Sequence, residues 1–134
     1  MIVITLRTDN PEAELGLFHL SHEVPKKIDY FKWQAHKVLS ETLPEKIRDI
    51  LMSNDYDYED IGGIVCFEGP GSFTGLRIGI SIANSLSYGL NIPVIGSGGE
   101  DWISIGFRDI FKNKKIEPIV PHYGAPVHIT SARK

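Results

Sequence analysis

Ile64-Val65-Cys66-Phe67-Glu68-Gly69-Pro70-Gly71-Ser72-Phe73-Thr74-Gly75-Leu76-Arg77-Ile78-Gly79 holds the turn on which the fold hinges. An apolar run of strand length is cut by Glu68-Gly69-Pro70-Gly71, and the residues after it take up a helical period. Strand, glycine turn and helix in this order predict an α/β domain. Ser72 suits the N-cap of a helix running to about Leu90, where Asn91 and Pro93 end it. Gly69, Gly71 and Gly75 permit a tight turn and close backbone approach at the helix start. Exposed amides there could hold an anion, helped by Arg77 or the hydroxyls of Ser72 and Thr74. The Gly-Lys-Ser/Thr ending of a P-loop is missing, so phosphate binding and a purely structural turn both stay open.

Gly75, Gly79, Ala83 and Ser87 recur every four residues and so share one helix face. Ile78, Ile82 and Leu86 lie beside them. A face of small residues admits a second helix at close range. Packing inside the domain and contact with a partner are both open readings of it.

Upstream, Ile2 to Leu6 reads as a strand, Thr8-Asp9-Asn10-Pro11 as a turn, and Glu14 to Leu20 as the second arm of a hairpin. Ile28 to Phe31 supplies a third strand. From Lys32 to Met52, Ala35, Val38, Leu39, Leu43, Ile47, Ile50 and Leu51 follow a helical stripe. Pro44 within it implies a kink or a fresh helix start. Ser53 to Asp60 is a polar acidic loop. Downstream come a short strand at Val94-Ile95, a helix from Asp101 to Phe111, a basic turn at Lys112 to Lys115, and a last strand at Glu117 to Val120.

The chain has 134 residues, a net charge of −3, 42% hydrophobic and 23% charged residues, the make-up of an ordinary globular domain. That net charge argues against direct grip on nucleic acid, so any involvement with RNA is expected to run through a partner. Cys66 is the only cysteine and sits in an apolar run, which excludes an internal disulfide and suits a buried thiol. No basic segment followed by an apolar one opens the chain, and no stretch approaches the roughly 20 apolar residues of a membrane span. A soluble, cytoplasmic protein is expected.

Gly69-Pro70-Gly71-Ser72-Phe73-Thr74-Gly75-Leu76-Arg77-Ile78-Gly79-Ile80 resembles the signature of the TsaB family, a glycoprotease-like (M22-like) group related to the catalytic TsaD proteins. The resemblance continues through Ser81 to Asn84 and Leu90 to Gly96, and His36 falls where the family often has a histidine. It implies one lobe of the actin-like ATPase (ribonuclease H-like) fold, a mixed five-stranded sheet flanked by helices. It also implies a non-catalytic subunit with no cofactor or catalytic residue of its own. Such a subunit binds a TsaD-like partner and supports threonylcarbamoyl transfer to the tRNA adenosine beside the anticodon, touching tRNA only through the complex. Pairing through the two long helices would place Gly75, Gly79, Ile82, Ala83, Leu86 and Ser87, with His36, Leu39 and Leu43, at the interface. A homodimer through the same helices is the competing association. A free-standing nucleotide or phosphate module using Gly69 to Gly75 is the alternative function.

Two departures stand out. The family often keeps Asp-Thr where this chain has Arg7-Thr8, and an arginine offers only donors, so it cannot hold a metal. Arg7 either contacts phosphate or is a surface arginine at a strand end. Residues 1–111 correspond to the first lobe, and Glu117-Pro118 with Tyr123 resembles the family's C-terminal tail, so a minimal form with a short tail at 112–134 is expected.

His19 and His22, with Glu23 nearby, lack a third ligand at matching spacing, and Asp55, Asp57, Glu59 and Asp60 lack the glycine and closing glutamate of a calcium loop. No metal site is predicted. His122 and His128 have no identifiable partner, and no Ser-His-Asp set can be assembled.

Overall fold

The computed structural model describes residues 1–21, 24–71, 73–112 and 117–120. Five strands, β1 (Ile2–Arg7), β2 (Glu12–Leu20), β3 (Pro25–Gln34), β4 (Ile61–Phe67) and β5 (Val94–Ser97), form one mixed sheet in the order β3-β2-β1-β4-β5. β1, β2 and β3 are antiparallel neighbours, whereas β1-β4 and β4-β5 are parallel. Among the described residues three α-helices cover it: α1 (Leu39–Ser53), α2 (Phe73–Leu90) and α3 (Trp102–Lys112). No helix among the described residues is long and apolar enough to cross a membrane.

Strand register decides what each face carries. Ile4, Leu6, Leu15, Leu17, Ile64 and Cys66 share one face and are buried. Against them pack Leu43, Ile47 and Ile50 of α1 and Leu76, Ile80 and Ala83 of α2, all buried. Val3, Thr5, Val65 and Phe67 share the other face, which α3 covers in part: Phe107 meets Phe18 edge-on at 5.0 Å and Trp102 meets Phe67 at 5.8 Å. The β2-β3 end of that face extends beyond α3, where Tyr30 remains half-buried.

The first long helix starts at Leu39, not at Lys32. Phe31, Lys32, Trp33 and Gln34 continue β3, because β2 begins at Glu12 and pairs with them up to Glu12–Gln34. Pro11 O then accepts from the N–H of Ala35 (2.9 Å) and His36 (3.1 Å), tying the strand end to the β1-β2 turn. Pro44 sits inside α1, so the helix does not restart there. α2 closes with Asn91 at φ 56 and the Ile92 N–H returned to Ser87 O at 3.1 Å, a Schellman-type end. Glu117 to Val120, expected as a last strand, joins no sheet. It is held instead by the Asn84 side chain, which accepts from Ile119 N (2.8 Å) and donates to Ile119 O (3.1 Å). One amide side chain thus supplies both bonds that a neighbouring strand would give.

Candidate functional site

The C-terminal end of β1 and the start of α2 meet at the signature loop. Thr8, the first residue past β1, is buried, and its hydroxyl donates to Gly75 O at 2.7 Å. Gly79 lies one turn on, where any Cβ would collide with the same threonine side chain. A Cβ on Gly71 would fall 2.5 Å from Asp9 Cβ, and one on Gly98 would run into the Gly69 carbonyl. The peptide between Gly69 and Pro70 is cis. Gly71 and Gly79 are therefore required by contacts with the residues just past β1, and Gly98 by its contact with the loop itself. A cleft of about 370 Å³ opens beside it, lined by Thr8, Asp9, Pro11, His36, Thr74, Gly75 and Ile78 among others. Ser72 and the side chain of Phe73 lie outside the described residues.

Arg7 is neither free for phosphate nor an idle surface residue. Its Nε donates to Asp9 Oδ1 at 2.7 Å and an Nη to Oδ2 at 3.2 Å, while the guanidinium lies 4.0 Å from the centre of the Phe67 ring. The Asp9 bond raises the Arg7 pKa further, against the opposing effect of burial. Asp9 in turn faces the loop at Gly71.

The small-residue face of α2 points inward. Gly79, Ala83 and Ser87 are buried, and the Ser87 hydroxyl donates to Ile92 O at 2.5 Å. Leu39 and Leu43 of α1 are buried as well. These five residues, expected at a partner interface, build the domain's own core: the helix can lie close to β1 only if its near side is small. Gly75, Ile82 and Leu86 are half-buried, and His36, at φ 29, is exposed.

The outer side of α2 has another character. Thr74, Arg77, Ser81, Ser85, Tyr88 and Gly89 are exposed, and Ile78, Ile82 and Leu86 stand half-buried among them. Arg77 is the only charged residue in the 18-residue helix.

Across the sheet, Tyr30 donates to Glu14 Oε1 at 2.5 Å. Burial, followed by that bond, pushes the Tyr30 phenol well above its ordinary value. Cys66 is fully buried and its thiol is pushed up by desolvation, the inert setting its apolar run implies. His19 is exposed, whereas His22, Glu23, His122 and His128 lie outside the described residues.

A five-stranded mixed sheet in the order β3-β2-β1-β4-β5, with α1 and α2 on one face and α3 on the other, is a single lobe of the ribonuclease H-like, actin-like ATPase class. YeaZ from Pseudomonas aeruginosa shares this fold with a TM-score of 0.63 at 23% identity, over 72% of this chain and 43% of that one. Thermus thermophilus RuvC shares it with a TM-score of 0.53 at 10% identity, over 96% of this chain and 87% of its own. The family model described as "TsaD: tRNA N6-adenosine threonylcarbamoyltransferase" matches residues 33–97. The tRNA threonylcarbamoyladenosine biosynthesis protein TsaB of Bacillus subtilis is 31% identical over 94 residues. Those residues are 70% of this chain and 39% of that protein, so the chain spans well under half of its relative's length. Over the stretch it shares with such relatives, the chain is similar to the TsaB proteins.

Proposed function

We propose that this domain is a non-catalytic partner of a TsaD-type tRNA N6-adenosine threonylcarbamoyltransferase and docks onto it through the outer side of α2. The nearly charge-free surface of that helix carries the reading. A solvated helix gains from a charged outer face, whereas the buried centre of a protein interface is depleted of charge. Ile78, Ile82 and Leu86 supply apolar contact, and Ser81, Ser85 and Gly89 leave room for a neighbouring helix. His36 and Gly75, at the near end, extend the same surface. A non-catalytic role fits the end of β1, where the Asp9 carboxylate is occupied by Arg7. The names carried by the relatives, threonylcarbamoyladenosine biosynthesis protein and threonylcarbamoyltransferase, supply the reaction.

The test is light scattering after size exclusion, on the chain alone and mixed with the TsaD-type protein of the same source. A stable mixed complex is expected, and Ser85→Arg, on an exposed position, is expected to abolish it without lowering Tm. Two folded proteins that elute separately at micromolar concentration would defeat the reading. A homodimer of the chain that excludes the transferase would replace it with self-association.

A further inference from the structure

The net charge of −3 is unevenly placed. Residues 25–37, Pro-Lys-Lys-Ile-Asp-Tyr-Phe-Lys-Trp-Gln-Ala-His-Lys, hold four lysines against one aspartate, a local +3 in sequence; Lys26, opposite His19, is set on the α1 face and Lys37 lies past the strand, which leaves Lys27 and Lys32 for the other face, beside Glu14 and Glu12 of β2. Most of this segment is β3, an edge strand. Asp29 is turned to the α1 face, where its carboxylate accepts from Asn54 Nδ2 at 3.0 Å and from the Tyr30 N–H at 2.9 Å. Pairing of Lys27 with Phe18, Tyr30 with Gly16 and Lys32 with Glu14 places all three β3 residues on the opposite face, where α3 leaves the sheet uncovered.

Tyr30 lies flat there. A Cβ on Gly16 would fall 2.7 Å from Tyr30 Cδ2, so the ring rests directly on the glycine backbone. The Glu14 bond fixes its hydroxyl, and the edge of Phe18 bounds one side at a centroid distance of 6.3 Å. Above the ring stands the Lys27 ammonium, 5.7 Å from the centroid on an exposed side chain. Beside it opens a largely apolar cleft of about 390 Å³ between Tyr30, Phe18, Ile103 and Phe107, with Ser104 and Lys27 at its rim. Glu14, on the same face, accepts from Tyr30 and sits opposite both Arg7 and Lys32 in register. Glu12 marks the far end of the strip.

A pre-positioned ring, an apolar slot and flanking lysines are what a single-stranded nucleic acid requires: a face for a base to stack on and cations for its phosphates. We propose that the β3 end of the sheet is a contact for single-stranded RNA, with a base stacked on Tyr30 or seated between Tyr30 and Phe107 and phosphates on Lys27 and Lys32. The site is separate from α2, so it gives the domain a direct hold on RNA, in place of the indirect one that its net charge suggests. An acidic protein segment would be drawn by the same lysines but has no use for the ring and the slot.

The experiment is fluorescence anisotropy of a labelled single-stranded RNA of about ten nucleotides, titrated with the full chain at two salt concentrations. Saturable binding is expected. Lys27→Glu with Lys32→Glu is expected to weaken it at least tenfold and to flatten the salt slope by about 1.4, roughly 0.7 per lost phosphate contact. Ser104→Trp, which fills the slot from an exposed position, is expected to weaken binding and leave the slope unchanged. No saturable binding by the native chain, or an unchanged affinity in the lysine variant, overturns the proposal. So does polyglutamate that competes as well as unlabelled RNA, which would mark a site for acidic protein. The lysine variant should still join the transferase and Ser85→Arg should still bind RNA, so failure here and failure of the pairing through α2 are told apart.

Discussion

α1 and α2 lie side by side on one face of the same sheet and bury comparable apolar stripes, yet their outer sides differ. α1 exposes Glu41, Glu45, Arg48 and Asp49, whereas α2 exposes serines, a threonine, a tyrosine, a glycine and one arginine. Core packing cannot account for the contrast, because both helices meet that need with their inner residues. The difference lies in what each outer side is built to face. Charge keeps α1 in water, and its absence leaves α2 suited to being covered. A helix can therefore carry two independent requirements on its two sides: the inner small residues of α2 meet the first, and under the proposed pairing its outer ones meet the second.

The sharpest way to break this division is to enlarge one residue on each side of α2. Gly79→Leu puts a side chain into buried Thr8, whose hydroxyl is committed to Gly75 O, so the helix must move off the sheet. A loss of about 3 kcal/mol or more is expected, seen as a large fall in Tm or an insoluble protein. A native Tm would show that the inner side is not packed as described. Ser85→Arg, two turns along and outward, should change stability by less than about 0.5 kcal/mol while removing the transferase complex. Charge reversal of Glu45 on α1 should alter neither.

Much of this architecture was legible in the sequence, for reasons that particular residues make plain. The glycine turn at Gly69 to Gly75 is local chemistry, so the strand before it and the helix after it stood where the pattern placed them. The stripe Gly75, Gly79, Ala83, Ser87 was visible too, but not the side it faces, because helical spacing groups residues without saying what lies opposite. Thr8, 67 residues from Gly75 in the chain, decides that. The boundary at Lys32 was hidden for a similar reason. Lys32 to Gln34 fit the start of a helical stripe, and only the length of β2, a non-local partner, draws them into the sheet. The Arg7-Asp9 pair was within reach, since residues two apart at a strand end can meet. The basic run at Lys26 to Lys37 was in view as well, masked by a net charge taken over the whole chain.

The loop end of α2 offers a smaller test. Asp9 holds Arg7 through two bonds and fills the space beside Gly71. Asp9→Ala leaves a partly buried guanidinium on Phe67 without its carboxylate, and a loss of about 2 kcal/mol in urea unfolding is expected. If the signature loop depends on that support, the variant should also weaken the transferase complex, though less than Ser85→Arg. An unchanged complex would confine the interface to the middle of the helix.

The smallest effect concerns alkaline pH and the face opposite the two helices. Tyr30 and Cys66 both have folded-state pKa values raised above the ordinary 10.0 and 9.0, mainly through burial. Both groups are neutral when protonated. Above those ordinary values the unfolded chain releases protons that the folded chain keeps, so the unfolded state binds fewer protons and stability falls as pH rises. Their contribution is whole below about pH 9 and declines through pH 10 to 11. Urea midpoints measured from pH 8 to 11 should drop over that window, and Tyr30→Phe, which keeps the ring on Gly16 but cannot ionise, should flatten the part above pH 10. The same variant loses the bond to Glu14, costing about 1 kcal/mol at neutral pH. A variant as pH-sensitive as the native chain would assign the alkaline loss to Cys66 alone and show that Tyr30 is less firmly seated than its contacts imply.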